Sequence, residues 1–282
     1  MAVRMIGFDL DGTILTNDKR ITEGTRKTLE EIAAAGVIPV PVTGRPLTGI
    51  PADLLDLPCI RYVIYSNGST TIDLHKKKQL RTHHISTAAG LEIMDILFQT
   101  AEKKLEQLPV IEYFLNGTGY HEPDAEKMLR ARFYHTPVWD YLTASRVTVP
   151  DLHRFVADQE AGIEDISVVC RTMEERETML SGLIDYPGIR ITRPAPGDFE
   201  IGGDFGDKGM ALLDLAGMLG VDREEVMAIG DGDNDLGLLT SAGIAVAMEN
   251  SAPHILEIAD FVTCDNEHDG AAYAMRKYTG HL

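Results

Sequence analysis

Two groups of acidic residues in this chain have the types and spacing needed for chemistry. In the first, Asp9 and Asp11 stand one residue apart after the apolar run of residues 3–8, and Gly12 follows them. Carboxylates are costly to bury unless they are paired with cations or hold a metal ion. Two of them at the tip of a buried strand therefore indicate a site. The alternative is a solvated turn that only ends the strand.

A second acidic group occupies alternate positions after the apolar residues 226–229: Asp231, Asp233 and Asp235. A calcium-binding EF-hand loop needs Gly at its sixth position and Glu at its twelfth. Counting from Asp231, those positions hold Leu236 and Ala242, and a count from Asp9 fails in the same way. A solvated acidic turn remains an alternative here too. Against it, the preceding strand could deliver these acids to the same edge as Asp9.

Alternating strands and helices must hold these residues in place. Residues 3–8, 37–42 and 61–65 are apolar runs that predict strands, and each is followed by small polar or charged residues. Between the first two runs, residues 21–35 have helical spacing with Thr22 as the N-cap. This order predicts a parallel sheet whose ligands gather outside the carboxyl ends of its strands. Two prolines in the second run predict irregular pairing there.

The alternation stops near residue 72 and resumes at Lys208. Between them, helices are mixed with hairpins, one around Asn116-Gly117 and one around residues 194–197. This mixture predicts a separate α+β domain over residues 84–198. The sheet domain is then discontinuous and comprises residues 1–83 and 199–282.

Composition and charge narrow the class of protein. The 26 basic and 44 acidic residues give a net charge of −18, which argues against nucleic acid or an anionic membrane as a partner. Three cysteines without a CxxC pair favour a reducing cytoplasm, with no disulfide framework and no structural zinc. The first strand leaves no room for a signal peptide, and no apolar run approaches the ~18 residues of a membrane span. We therefore expect a cytoplasmic protein.

Taken together, the pieces resemble the haloacid dehalogenase superfamily, and within it the Cof-type sugar-phosphatase branch, whose cap lies between the second and third motifs. Four motifs occur in order at the ends of predicted strands or helices. They are DxDGT at residues 9–13, Thr43 followed by Gly44-Arg45, Lys208, and GDxxND at residues 230–235. The resemblance implies a Rossmann-like core with three α/β/α layers and an inserted α+β cap that would close over the site.

The resemblance also implies an activity, that of a Mg²⁺-dependent phosphatase acting on small phosphorylated metabolites such as sugar phosphates. Asp9 would be the nucleophile that forms an aspartyl-phosphate. Asp11 would protonate the leaving alcohol and then activate water. Mg²⁺ would be bound by the carboxylates of Asp9 and Asp231 and by the backbone carbonyl of Asp11. Asp235 would orient these ligands or bind the metal directly.

Further residues would bind the phosphate oxygens by the same resemblance: Thr43, the N–H groups of Leu10 and Gly44, Lys208 and Asn234. Arg45 is expected either to reach the substrate or to pair locally. Asp207 stands where the branch usually carries Ser, so we expect it to add negative charge beside Lys208. The cap side chains His121, His135 and Trp139 are expected in core or surface roles.

Two other functions remain possible from the sequence. One is a phosphosugar mutase of the same superfamily, which would share Asp9 and Asp11. The other is a regulatory protein that binds a phosphorylated metabolite without turnover. The sequence indicates neither the particular substrate nor the oligomeric state.

Overall fold

A computed structural model describes residues 2–280 as a series of short strands and helices. The strands are β1 (Met5–Phe8), β2 (Ile38–Pro41), β3 (Tyr62–Tyr65), β4 (Thr70–Asp73), β5 (Lys78–Thr82), β6 (Val110–Leu115), β7 (Thr118–His121), β8 (Arg146–Thr148), β9 (Asp165–Val169), β10 (Ile189–Thr192), β11 (Asp198–Gly203), β12 (Val226–Gly230), β13 (Ile244–Ala247) and β14 (Phe261–Val262). The α-helices are α1 (Glu23–Ala34), α2 (Ala52–Leu55), α3 (Thr87–Lys104), α4 (Pro123–Phe133), α5 (Pro137–Ser145), α6 (Leu152–Ala157), α7 (Met173–Leu180), α8 (Lys208–Met218), α9 (Leu236–Ser241), α10 (Pro253–Ile258) and α11 (Gly270–Thr279).

These elements divide into two compact units. The first unit contains the chain up to Arg45, Ile50–Thr82, and the chain from Gly206 onward. The second contains Pro46–Gly49 and His83–Phe205. The contacts therefore place the second boundary at Phe205, whereas the sequence predicts it at residue 198. The shift arises because β11 is hydrogen bonded between β9 and β10, inside the sheet of the second unit.

A five-stranded parallel sheet forms the centre of the first unit, in the order β14-β13-β12-β1-β2. Every residue of β1 and β12 is buried, as expected for strands covered on both faces. The helix α1 begins as predicted, because the Thr22 side chain accepts a hydrogen bond from the Thr25 N–H. The predicted fold class, α/β with a parallel core sheet and an additional α+β part, is confirmed.

The prediction that β3 continues the parallel sheet is wrong. This strand pairs with β4 and β5 in a separate antiparallel sheet and meets the extension of β2 only at one isolated bridge, Val42 to Ile64. The N–H groups of Ile38 and Val42 donate to the β1 side. The alternate positions, which face β3, are the two prolines of β2, and proline has no N–H to donate. The irregular pairing expected from these prolines is thus confirmed.

The second unit is built on a six-stranded sheet in the order β10-β11-β9-β6-β7-β8. The predicted hairpin at Asn116-Gly117 is confirmed, with φ values of 51° and 74° that suit this pair of residue types. The hairpin of β10 and β11 is also present. The helices α4 and α5, which the sequence analysis missed, both begin with a proline. Within residues 2–280, no helix is both long and apolar enough to cross a bilayer.

Candidate active site

The turn that follows β1 carries the first acidic pair. Asp9 comes directly after Phe8 and is 5% exposed. The chain then turns tightly, because the Leu10 carbonyl accepts hydrogen bonds from the N–H groups of residues 13, 14 and 15 at 3.3, 3.1 and 2.9 Å. Gly12 has a φ of 77°, and a Cβ atom there would overlap the carboxylate of Asp231. The glycine therefore allows the turn to lie directly against the second acidic group.

Lys208 joins the two acidic groups. It is the first residue of α8, is fully buried, and donates from Nζ to Asp9 Oδ1 at 2.7 Å and to Asp235 Oδ1 at 2.6 Å. Burial lowers the pKa of this ammonium, but the two carboxylates outweigh burial, so the pKa lies above its ordinary value. Lys208 is thus held as a buried cation between two acids.

Asp207, which was expected to add negative charge beside Lys208, uses its carboxylate to begin α8. Its carboxylate accepts hydrogen bonds from the backbone N–H groups of Gly209 and Met210 at 2.8 and 3.1 Å. It is therefore the N-cap of α8, where an anion also interacts favourably with the helix dipole. This side chain starts the helix that carries Lys208.

Both oxygens of the Asp235 carboxylate accept hydrogen bonds from other groups of the protein. Oδ1 accepts from Lys208, and Oδ2 accepts from the N–H groups of Asp231 and Gly232, both at 3.0 Å. Asp235 is fully buried. This arrangement favours the interpretation in which Asp235 orients its neighbours.

Asp231 stands at the end of β12 and is oriented by two other segments. Its Oδ1 accepts from Thr13 Oγ1 at 3.1 Å, and its Oδ2 accepts from Asn250 Nδ2 at 3.3 Å. Burial and the nearby Asp235 raise the pKa of Asp231 to about 7, and the same two causes raise the pKa of Asp9 well above its ordinary value. For both carboxylates, the single positive charge of Lys208 does not offset burial and the neighbouring acids.

A divalent cation fits this charge deficit. Carboxylate oxygens of Asp9, Asp231 and Asp235 lie within 4.8 Å of one another. Oxygen ligands of this kind are those that Mg²⁺ prefers, and a cation would offset the repulsion that raises the two pKa values. Lys208 supplies only one positive charge to three acids.

Asp11 is paired with two cations, whereas Asp9 shares one, Lys208, with Asp235. Arg45 Nε donates to Asp11 Oδ2 at 2.6 Å and Arg45 Nη2 donates to Oδ1 at 2.7 Å, while Lys19 Nζ lies 2.8 Å from Oδ1. Burial raises the pKa of Asp11, but Arg45 and Lys19 outweigh it and hold the pKa well below the usual range. Of the two expectations for Arg45, local pairing is the one this structure shows.

The remaining predicted phosphate-binding residues lie at the ends of neighbouring strands. Thr43 is buried two residues beyond β2, and its Oγ1 accepts from the Arg45 N–H at 3.1 Å. A Cβ atom at Gly44 would lie 2.9 Å from Asn67 Oδ1, so Gly44 packs closely on that side chain. Asn234 Nδ2 donates to the same Asn67 oxygen at 3.5 Å. Asn67 thus links the second motif to the fourth.

The second-unit residues singled out in the sequence occupy structural positions. His121 is buried and its Nδ1 lies 3.0 Å from Glu112 Oε1, beside Arg146 Nε at 3.2 Å from the same oxygen. His135 is exposed and its ring packs edge-on against Tyr134. Trp139 packs against a small apolar cluster. These positions agree with the expected core and surface roles.

Three polar residues of the site have no role assigned from the sequence: Thr13, Lys19 and Asn250. Thr13 lies in the first motif, and Asn250 ends a stretch, residues 247–250, that also resembles the Cof-type branch. Thr13 and Asn250 bind Asp231, and Lys19 binds Asp11. Asn250 follows β13, the neighbour of β12, so the strand-end rule that located Asp231 could have located it too. Lys19 has a φ of 61°, a feature that only the structure shows.

Fold and site together place a cluster of acids and one buried lysine at the carboxyl edge of a parallel sheet. The model of the haloacid dehalogenase-like hydrolases matches residues 6–275, and the chain belongs to this family. The resemblance inferred from the four motifs is therefore confirmed.

Individual relatives agree with this assignment. YxeH of Bacillus subtilis (strain 168) is 30% identical over 97% of this chain and 97% of its own length. The 5-amino-6-(5-phospho-D-ribitylamino)uracil phosphatase YcsE of the same organism is 28% identical over 98% of this chain and 96% of its own. The solved subclass IIB sugar phosphatase BT4131 shares the fold, with a TM-score of 0.79 at 23% identity, and the match covers 99% of this chain and 100% of that one. The chain is a hydrolase of a family whose relatives carry the name phosphatase.

Proposed function

We propose that this chain is a Mg²⁺-dependent phosphomonoesterase that hydrolyses small phosphorylated metabolites through an aspartyl-phosphate on Asp9. The observation that carries this proposal is the buried Lys208 held between Asp9 and Asp235, with Asp231 in the same cluster. Such a cluster joins a nucleophile, a cation for the phosphoryl oxygens and ligands for a metal. The relatives named as phosphatases support the same reaction class.

Asp9, Asp231 and the backbone carbonyl of Asp11 would hold the metal. When bound, Mg²⁺ neutralises charge on the phosphoryl group and orients it for in-line attack. Asp235 would keep its present role, because both of its oxygens already accept hydrogen bonds from protein groups.

The phosphate oxygens would be bound by the donors at the strand ends: Thr43, the N–H groups of Leu10 and Gly44, Lys208 and Asn234. Fixed donors of this kind stabilise the charge of the transition state without reorganising during the reaction. Lys208 supports this role because its partners hold the ammonium in one place.

The reaction has two steps. In the first, a carboxylate oxygen of Asp9 bonds to phosphorus, the bond to the leaving oxygen breaks, and Asp11 gives that oxygen a proton. In the second, Asp11 takes a proton from water, whose oxygen bonds to phosphorus and releases Asp9 and inorganic phosphate. Because Arg45 and Lys19 hold Asp11 ionised in this structure, we infer that these contacts loosen before Asp11 donates a proton.

Hydrolysis of p-nitrophenyl phosphate and of a panel of sugar phosphates and other phosphomonoesters tests this proposal. We expect phosphate release that needs Mg²⁺, stops with EDTA and is lost in Asp9→Asn. Asp18→Asn is the matched control, because Asp18 carries a carboxylate nearby that is 67% exposed and pairs with Arg20. Full activity in Asp9→Asn, or no phosphate release from any substrate, would contradict the proposal. An isomerised sugar phosphate without phosphate release would favour the mutase instead.

A further inference from the structure

Asn250 occupies a position from which it can act on two parts of the candidate site. It lies three residues beyond β13, which pairs with β12, the strand that ends just before Asp231. Its side chain therefore reaches the edge of the sheet where Asp9 and Asp231 stand. None of the four motifs that identified the site includes it.

The Asn250 side chain links the turn after β1 to Asp231. Its Nδ2 donates to the Gly12 carbonyl at 2.9 Å and to Asp231 Oδ2 at 3.3 Å. An amide nitrogen has two hydrogens, so both bonds can form together. Since Thr13 donates to the other Asp231 oxygen, both oxygens of that carboxylate are oriented from outside β12.

Asn266 fixes the direction in which this amide points. The Asn266 N–H donates to Asn250 Oδ1 at 3.3 Å, so the oxygen faces Asn266 and the nitrogen faces Asp231. Asn266 is buried, and its own Nδ2 donates to the Leu15 carbonyl at 2.8 Å. The same turn is thus held by Asn250 at Gly12 and by Asn266 at Leu15.

A neutral amide suits this position because of the surrounding charge. Burial and Asp235 already raise the pKa of Asp231 despite the nearby Lys208, so a carboxylate at position 250 would add repulsion. A lysine there would neutralise Asp231 and compete with a metal ion. An amide orients the carboxylate and leaves its charge available to a cation.

We propose that Asn250 is a positioning residue that fixes the Asp231 carboxylate relative to the turn bearing Asp11, and so strengthens divalent-cation binding. This inference rests on the proposed function, since it takes Asp231 as a metal ligand. Groups that orient metal ligands change metal affinity or activity by about 10–100-fold when they are removed.

The test measures Mg²⁺ binding to the substrate-free protein by isothermal titration calorimetry. For Asn250→Ala we expect a Kd about 10–100-fold weaker, while kcat at saturating Mg²⁺ stays within about threefold of the parent. The Kd of Asn250→Ser for Mg²⁺ should lie between those of the parent and Asn250→Ala, because the shorter serine hydroxyl cannot reach both acceptors. Glu249→Ala, an exposed neighbour, is the control and should bind Mg²⁺ as the parent does. Melting temperatures in EDTA should agree for all four proteins.

Two results for Asn250→Ala would overturn the inference. One is an unchanged Kd for Mg²⁺, and the other is a weaker Kd that is explained by a lower melting temperature in EDTA. Asp231→Asn separates the inference from the proposed function. If Asp231→Asn loses Mg²⁺ binding while Asn250→Ala keeps it, only the positioning role fails. If Asp231→Asn keeps Mg²⁺ binding, the proposed metal site fails and the inference fails with it.

Discussion

Replacing Lys208 by methionine should separate the two contributions of this residue, to stability and to catalysis. The side chains of Lys208 and Asp235 are fully buried and that of Asp9 is 7% exposed, so the substitution leaves two buried carboxylates without their cation. Breaking a buried ion pair in this way costs about 3–5 kcal/mol. Urea unfolding in EDTA should show a loss of that size, and phosphate release should fall at least ~100-fold because a fixed donor to the phosphoryl group is gone.

A matched control and a double variant make this experiment decisive. Lys19→Met makes the same substitution in a pair of similar length, 2.8 Å, but Lys19 and Asp11 are 26% and 40% exposed. It should cost less than about 1 kcal/mol. Lys208→Met/Asp235→Asn removes one of the two unpaired charges, so it should recover about half of the lost stability but none of the activity.

Either of two results would contradict these roles of Lys208. If Lys208→Met costs no more stability than Lys19→Met, the pair is not a buried ion-pair network. If the double variant regains activity together with stability, the loss of activity came from unfolding and not from a missing phosphate donor.

Three further predictions concern the acids and the turn. Asp231 has a pKa of about 7 in the folded chain and an ordinary pKa in the unfolded chain, so the unfolded chain ionises first as pH rises. Each pKa unit is about 1.4 kcal/mol, so the free energy of unfolding of metal-free protein should fall by up to about 3 kcal/mol between pH 5 and 8, and Mg²⁺ should restore it. Urea unfolding with and without Mg²⁺ measures this change, and a stability that does not vary with pH would contradict it. Arg45→Lys keeps the charge but loses the two-bond contact with Asp11, so kcat/KM should fall about tenfold. Unchanged kinetics would remove Arg45 from the mechanism. Gly12→Ala should lower the melting temperature more than Gly220→Ala and should also weaken Mg²⁺-dependent activity. Both glycines have a positive φ, but a Cβ atom at Gly12 would meet the Asp231 carboxylate, whereas one at Gly220 would face open space. Equal effects of the two substitutions would contradict this.

The sequence located the ends of strands better than the pairing of strands. Thr22 and Asn116-Gly117 were recognised because capping and hairpin turns depend on a few adjacent residues. The sheet predicted for β3 is wrong because strand partners are separated along the chain. The two prolines of β2 predict irregular pairing but not which sheet β3 joins. The helix α4 was missed although it carries an apolar stripe at helical spacing, which packs on one small cluster: Ala125, Met128, Leu129 and Phe133.

The candidate site was predicted through its charged residues and missed through its neutral ones. Asp9, Lys208 and Asp231 stand in motifs whose spacing is visible along the chain, and the structure brings them together. Asn250 stands outside these four motifs, and its role depends on the register of β13 against β12. The pairing of Asp11 with Arg45 likewise depends on side-chain directions that a sequence does not give.

Trapping the aspartyl-phosphate shows whether Asp9 is the nucleophile. Protein mixed with Mg²⁺ and a good substrate is quenched in acid within one turnover, reduced with borohydride and analysed by peptide mass spectrometry. We predict a reduced carboxyl at Asp9 that needs both substrate and Mg²⁺ and that is absent from Asp9→Asn. Phosphate release in the same time with no modification at Asp9, or with the modification on another residue, would contradict the account.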